Sequence, residues 1–213
     1  MKDLYIFFDL DDTLVDIWEG YYIPSGIENY KRFGIDVTKE DFMKGRNYLM
    51  NFPIDPQRFW HEYNKHNGLK ERSQAIKEGK IRLFPDTHEA LSALEKIANL
   101  YLFTNTPEDQ AKAEIDTFDL AKHFTDISCN NLRDPNKPDP YRGLKMINGR
   151  YQPGQEKWFI GDAPDDIATG KAMGARTIFM NWRQKTQIRP DYEARNLTEM
   201  VEIIHREANI HLL

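Results

Sequence analysis

Leu4-Tyr5-Ile6-Phe7-Phe8 runs without a break into Asp9-Leu10-Asp11-Asp12-Thr13. A short, apolar, β-favouring run that stops in carboxylates reads as a buried strand delivering acids to one end of a sheet. Asp9 and Asp11 are two residues apart, so an extended backbone would turn both to the same side. Carboxylates that close resist ionising together unless a cation lies between them. A hard ion such as Mg²⁺ takes oxygen ligands and keeps several waters, so one or two carboxylates suffice to hold it. The same residues also fit a polar loop after a strand, where Asp is common. Taken alone, the stretch does not separate the two readings.

Three further stretches separate them. Leu100-Tyr101-Leu102-Phe103 ends in Thr104-Asn105-Thr106, and Trp158-Phe159-Ile160 ends in Gly161-Asp162-Ala163-Pro164-Asp165-Asp166. Between them Lys137 stands in a loop, Asn136-Lys137-Pro138-Asp139-Pro140. Open parallel α/β sheets bind their ligands just beyond the carboxyl ends of the strands. On that geometry the acids, a hydroxyl with an amide, a lysine and further acids converge on one pocket.

Residues 16–80 carry no convincing strand pattern but several helix starts. Ser25 precedes Gly26-Ile27-Glu28, with Ile27, Tyr30 and Phe33 at helical spacing and Gly34 as a stop. Thr38 and Asp41 form a capping box, with Asp in place of the usual Glu, ahead of Phe42, Leu49 and Met50. Asp55 and Pro56 start a helix that brings Phe59 and Tyr63 together and stops at Gly68. A helical block of this kind cannot join the sheet and is expected to be an inserted cap over the strand ends. Sheet-forming sequence then returns. Asp86 and Glu89 bracket a helix start through Leu91, Leu94 and Ile97, and a helix from 108 to 122 carries Ala111, Ile115 and Phe118. Strands are expected at 126–129, 158–160 and 177–180, and Asn196 with Glu199 caps a last helix. The fold class is α/β: a Rossmann-like three-layer α/β/α sandwich with a mainly parallel sheet and an inserted α-helical cap. The core domain is expected at 1–15 and 81–213, the cap at 16–80.

At these residues the chain resembles the haloacid dehalogenase superfamily, in its phosphatase branch. Asp9-Leu10-Asp11-Asp12-Thr13-Leu14 looks like the first motif of that family and Thr104-Asn105 like the second. Lys137-Pro138 resembles the third, and Gly161-Asp162 through Asp166-Ile167 the fourth. The matches follow the family's order over most of the chain. Thr106 is a departure, standing where Gly or Ser is frequent. The resemblance implies a helical cap of the C1 type and an aspartyl-phosphate formed on Asp9. It also adds the backbone carbonyl of Asp11 as a metal ligand.

Each group can be assigned by the chemistry open to it. A carboxylate can attack phosphorus and split one hard step into two, and Asp9 at the strand terminus is the candidate nucleophile. Asp11 is the general acid/base, protonating the leaving alkoxide and then taking a proton from water. Mg²⁺ is expected on Asp9, Asp162 and the Asp11 carbonyl, where it offsets the repulsion between nucleophile and phosphate. Asp166 is expected to orient water or Lys137 without touching the metal. Thr104, Asn105 and Lys137 are the phosphate-binding candidates, with Asn105 also able simply to brace the turn. Asp12 reads as a turn residue and Asp165 as solvated.

Composition narrows the class further. The 213 residues hold 29 basic and 34 acidic side chains, a net charge of −5 that leaves no electrostatic footprint for nucleic acid. No run approaches the ~20 apolar residues of a membrane helix, and the amino terminus lacks the apolar core of a signal peptide. The lone Cys129 cannot form an internal disulfide and reads as a small buried residue rather than a nucleophile. A cytoplasmic location is expected. His61 and His66, five apart, are poorly spaced for zinc. Of Trp18, Tyr21, Tyr22, Phe52 and Trp60, most are expected in the cap core and one or two as the floor of a substrate pocket; Arg46 and Arg58 could grip an anionic leaving group but are expected in solvent. The expected activity is Mg²⁺-dependent hydrolysis of small phosphorylated metabolites. A phosphomutase of the same superfamily and a phospho-accepting receiver-like signalling module are the alternatives. Substrate identity and oligomeric state are not legible.

Overall fold

The computed structural model describes residues 3–43, 54–151, 154–182 and 186–208. Leu49, Met50, Arg46 and Phe52 lie outside the described residues, as do the side chains of Phe42 and Trp60. In chain order the elements begin with β1 (Leu4–Phe8), β2 (Val15–Asp16), α1 (Ile23–Arg32), α2 (Lys39–Met43), α3 (Pro56–His66), α4 (Leu69–Lys77) and β3 (Arg82–Leu83). There follow α5 (Thr87–Leu94), β4 (Asn99–Pro107), α6 (Glu108–Thr117), β5 (Asp126–Asn130) and α7 (Tyr141–Met146). The last are β6 (Glu156–Gly161), α8 (Pro164–Ala172), β7 (Arg176–Met180), β8 (Tyr192–Ala194) and α9 (Leu197–Glu207).

β1 is buried along its whole length, as an unbroken apolar run requires of a strand covered on both faces. It lies between β4 and β6, both parallel to it, with Phe8 opposite Leu102 on one side and Ile160 on the other. Among the described residues the sheet has six strands in the order β5-β4-β1-β6-β7-β8, and every pairing is parallel. Tyr5, Phe7, Tyr101, Phe103 and Phe159 share one buried cluster with Met146, Ile147 and Met173. The strand ends expected from sequence therefore do arrive side by side, which defines a Rossmann-like α/β fold. Among the described residues no helix is long and apolar enough to cross a membrane.

Some boundaries differ from expectation, each for a local reason. β4 runs through Thr104–Asn105–Thr106 to Pro107, while its pairing with β5 slips between Phe103 and Pro107. The helix expected over 108–122 stops at Thr117, because Asp119 is left-handed at φ +51° and a 3-10 turn, Ala121–His123, follows. Asp86 is left-handed too, and its side chain caps nothing; the Thr87 hydroxyl instead donates to the Phe84 carbonyl at 2.8 Å. Ser25 lies inside α1, donating back to the Tyr21 carbonyl at 2.7 Å, since a π turn over Trp18–Tyr22 starts the helix early. β8 is a three-residue edge strand without a readable apolar run. Other local signals act as read. Thr38 and Asp41 bond each other's backbone N–H, Asp55 accepts from Arg58 N, Asn196 accepts from Glu199 N, and Gly34 ends α1 at φ +74°.

The chain divides into two compact units, Met1–Val15 with Leu83–Leu213, and Asp16–Arg82. The first is the sheet with its helices. The second is helical and has its own core, where Ile23, Tyr30 and Val37 are buried against Trp18, Tyr22, Ile27 and Phe59. Asn29 fastens α1 to α3 by donating to the Phe59 carbonyl at 3.1 Å.

α8 lies so close to the sheet that only glycine fits at its contact. A Cβ on Gly170 would stand 2.6 Å from Thr177 Cγ2 and 2.7 Å from Phe159 Cβ. Gly170→Ala is expected to destabilise the chain by about 1–3 kcal/mol through overpacking. Urea denaturation checks this; an unchanged midpoint would show that the helix can back off freely.

Candidate active site

The site begins where β1 ends. Asp9 N donates to the Ile160 carbonyl at 3.0 Å, one ladder step beyond the strand, which fixes Asp9 at the sheet's carboxyl edge. The chain then folds under itself. Leu10 O accepts the N–H groups of Thr13, Leu14 and Val15, and Asp12 takes a left-handed φ of +53°. The Asp12 carbonyl is held by Trp182 Nε1 at 2.7 Å, and the Trp182 ring stacks on Phe84 with centroids 3.9 Å apart. Asp12 is thus the turn residue read from sequence, though it is buried rather than solvated.

β6 delivers the second set of acids. Asp162 follows its last residue and is buried, and Asp166 sits in the first turn of α8, where Asp166 Oδ2 accepts Ala163 N at 2.9 Å. An acid there satisfies an orphan helix N–H and meets the positive end of the helix dipole. Gly161 makes room for it: a Cβ at position 161 would lie 2.4 Å from the Asp166 Cβ. Asp165, on the other side of the turn, is exposed.

Lys137 closes the cluster. Its Nζ donates to Asp9 Oδ1 and to Asp166 Oδ1, each at 2.6 Å, and all three side chains are buried. The loop that carries it has a cis Lys137–Pro138 peptide and is gripped by Asn105, whose amide accepts from Lys137 N at 2.9 Å and donates to Lys137 O at 3.1 Å. The Asn105 side chain therefore braces Lys137 with both its oxygen and its nitrogen. Thr104 Oγ1 accepts from Thr106 N at 3.1 Å and donates to Thr106 Oγ1 at 3.0 Å, and Thr106 Oγ1 donates to Asp11 Oδ2 at 2.8 Å. A hydroxyl relay links β4 to Asp11, through a residue that sequence reading noted only as a departure.

The electrostatics follow from burial. Carboxylate oxygens of Asp9, Asp162 and Asp166 all lie within 4.8 Å of one another. Desolvation pushes the Asp9 carboxyl up to about 7, with Lys137 pulling it down and Asp166 pushing it further up. Asp162 stands well above the carboxylate range, first through burial and then through Asp12, Asp166 and Asp9. Burial alone would depress Lys137, but Asp166 and Asp9 outweigh it and hold the ammonium above its ordinary value. One ammonium among three buried carboxylates leaves surplus negative charge on hard oxygen donors. That donor set fits a hard divalent cation.

Of the sequence candidates, the structure brings together Asp9, Asp162, Asp166 and Lys137 by direct proximity, Asn105 through Lys137, and Thr104 with Asp11 through Thr106. His61 is exposed and His66 pairs with Glu62 at 2.8 Å, so the two do not face a common site. Arg58 is exposed over the Phe33 ring. Two residues of this neighbourhood escaped sequence reading, Trp182 and Arg142. Trp182 reaches Asp12 across 170 positions and Arg142 reaches Thr104 across 38, with no local pattern to announce either.

Residues 6–180 match the family model described as haloacid dehalogenase-like hydrolase, and the chain belongs to that family. A protein of Caldanaerobacter subterraneus provisionally named a pyrophosphatase, PpaX, is 24% identical, the match covering 96% of each chain. A phosphoglycolate phosphatase of Aquifex aeolicus is 24% identical over 93% of this chain and 95% of its own. The crystal structure of the haloacid dehalogenase-like hydrolase YfnB of Bacillus subtilis, bound to magnesium, superposes with a TM-score of 0.65. It is 20% identical and covers 96% of this chain and 99% of its own. The chain is an enzyme, a hydrolase of the phosphatase kind.

Cys129 stays outside this chemistry. Burial, then Glu108, push its thiol up to about 11. A raised thiol pKa means less thiolate at a given pH. Alkylation at pH 8 is expected to run about 100-fold slower than for a small free thiol. Timed labelling with iodoacetamide checks this, and labelling at the free-thiol rate would contradict it.

Proposed function

We propose that this chain is a Mg²⁺-dependent phosphatase that hydrolyses small phosphorylated metabolites through an aspartyl-phosphate on Asp9. The observation that carries this reading is the Lys137 ammonium shared by Asp9 and Asp166 beside a third buried carboxylate, Asp162, at the carboxyl edge of a parallel sheet. Phosphate monoesters are among the slowest substrates to hydrolyse unaided, so a site for them needs a nucleophile, an acid and charge stabilisation together.

Asp9 supplies the nucleophile. Lys137 holds its Oδ1, while Oδ2 has no hydrogen-bond partner among the described residues and is the oxygen we assign to attack. Asp11, held by the Thr106 hydroxyl, gives a proton to the leaving alkoxide and later takes one from the water that cleaves the aspartyl-phosphate. Thr104 and Lys137 hold phosphoryl oxygens, and Asn105 supports Lys137. Asp9, Asp162 and the backbone carbonyl of Asp11 would hold Mg²⁺, with Asp166 kept for Lys137. When bound, the ion offsets the repulsion between an anionic nucleophile and an anionic phosphate.

Similarity to known proteins supports this reading from outside the chain. Relatives matching nearly the full length are named for a pyrophosphatase and for phosphoglycolate, and a structural neighbour was seen with magnesium. We assign substrate choice to the inserted helical unit Asp16–Arg82, as its cap.

A panel of phosphomonoesters, assayed with Mg²⁺ and with chelator, tests the proposal. Asp9→Asn is expected to abolish turnover while circular dichroism stays native; normal rates in that variant would remove Asp9 as nucleophile. Asp162→Ala is expected to move magnesium activation to concentrations at least about 10–100-fold higher. An unshifted magnesium titration would take Asp162 out of the metal site.

A further inference from the structure

Arg142 is 1% exposed, yet none of its hydrogen-bond partners is a carboxylate. Nε donates to the Pro135 carbonyl at 3.0 Å. Nη2 donates to the Thr104 carbonyl at 3.1 Å, Asn105 Oδ1 at 2.9 Å and Asn136 Oδ1 at 3.2 Å. Nη1 is buried with no hydrogen-bond partner among the described residues. The guanidinium carbon stands 4.7 Å from the centre of the Phe103 ring. A buried charge surrounded by neutral oxygens, with one donor unused, is an expensive way to fill space. An apolar side chain would fill the place beside Phe103 without that penalty, so the guanidinium is there for its donors.

Those donors join two segments that no strand ladder connects. One is the irregular end of β4, with Thr104 and Asn105. The other is the loop of Pro135, Asn136 and Lys137. Asn105 Oδ1 receives Arg142 Nη2 on one side and Lys137 N on the other, so Arg142, Asn105 and Lys137 form a continuous chain of bonds leading to the ammonium on Asp9. We propose that Arg142 is the positioning residue that locks the Thr104–Asn105 end of β4 to the Lys137 loop, and so sets the place of both phosphate-binding groups. This rests on the phosphatase reading above. The planar fork of arginine spans these acceptors at fixed angles, whereas the ammonium of lysine on its flexible stem does not.

The test compares wild-type protein with Arg142→Lys, Arg142→Ala and Arg142→Lys/Asn105→Ala, all as the full chain with Mg²⁺. The readouts are kcat, KM, inhibition by inorganic phosphate and thermal midpoint, with calorimetric phosphate binding as a readout independent of turnover. Arg142→Lys keeps charge and bulk, and its kcat/KM is expected to fall about 10–100-fold, mostly in kcat, as for small misplacements of positioned groups. Phosphate binding is expected to weaken with it. Millimolar guanidinium is expected to restore part of the activity of Arg142→Ala, and Asn105→Ala to cost less in the Arg142→Lys background than it costs alone, because part of each effect passes through the bond the two side chains share. Native kcat and native phosphate affinity in folded Arg142→Lys would overturn the inference. So would losses that track the thermal midpoint alone and vanish on cooling. A wild type that turns over no phosphomonoester would defeat the phosphatase reading instead, and the calorimetric comparison of wild type with Arg142→Lys would still decide the role of Arg142.

Discussion

The Lys137 ammonium lies where water does not reach, and two carboxylates receive it at 2.6 Å. Taking such ions out of water carries a penalty of several kcal/mol each, repaid only where geometry is good and further hydrogen bonds are made. Asp166 meets that condition twice over, because its second oxygen is occupied by the Ala163 N–H. Asp9 meets it only in part, and Asp162 adds a third acid to the same space. The cluster is therefore stable as a place for positive charge and unbalanced without more of it. This imbalance is the physical basis for proposing a cation here and an anionic substrate beside it.

The sheet exists in a form that makes this arrangement possible. Parallel strands all end on one edge, so side chains just past β1, β4 and β6 become neighbours regardless of their separation in sequence. The central three strands supply the hydroxyl relay, the candidate nucleophile and the second acid set, in the spatial order β4-β1-β6. Close packing then sharpens the positions. Gly161 lets Asp166 fold back against β6, and Gly170 brings α8 down on Phe159 and Thr177. A helix held at that distance keeps its N-terminal turn, and Asp166 with it, fixed relative to Lys137.

The second unit is inserted just after the acid-bearing turn, leaving at Asp16 and returning at Arg82. Within the core unit the two junctions are clasped together. Phe84 N donates to Leu14 O at 3.1 Å, and the Thr87 hydroxyl reaches the same carbonyl at 3.3 Å. Phe84 also stacks on Trp182, which holds the Asp12 carbonyl. The returning chain is therefore tied to the turn that presents Asp11.

The strands were legible because β1, β4, β6 and β7 are buried on both faces and so carry unbroken apolar runs. β8 was not, since a three-residue edge strand buries too little to leave a pattern. Helix starts were readable where a side chain caps, at Thr38, Asp55 and Asn196. The start failed at Ser25, which bonds back into a helix already begun, while Asp86 precedes its helix without capping it. The acids could be named in advance because charge at the end of a buried strand is costly unless it meets an ion or a ligand, and Lys137 by its place between the segments that carry them. Their convergence followed from the parallel sheet, but the direct Lys137–Asp9 bond did not, since that pair spans 128 positions and leaves no trace in spacing. Arg142 marks the limit more sharply: beside Tyr141 at the start of α7, nothing in the sequence singles it out. Only the curvature of the chain, which brings five neutral or aromatic partners around it, turns an ordinary surface residue type into a buried connector. Sequence reports what a residue can bond. Whether it does depends on the neighbours that the fold brings to it.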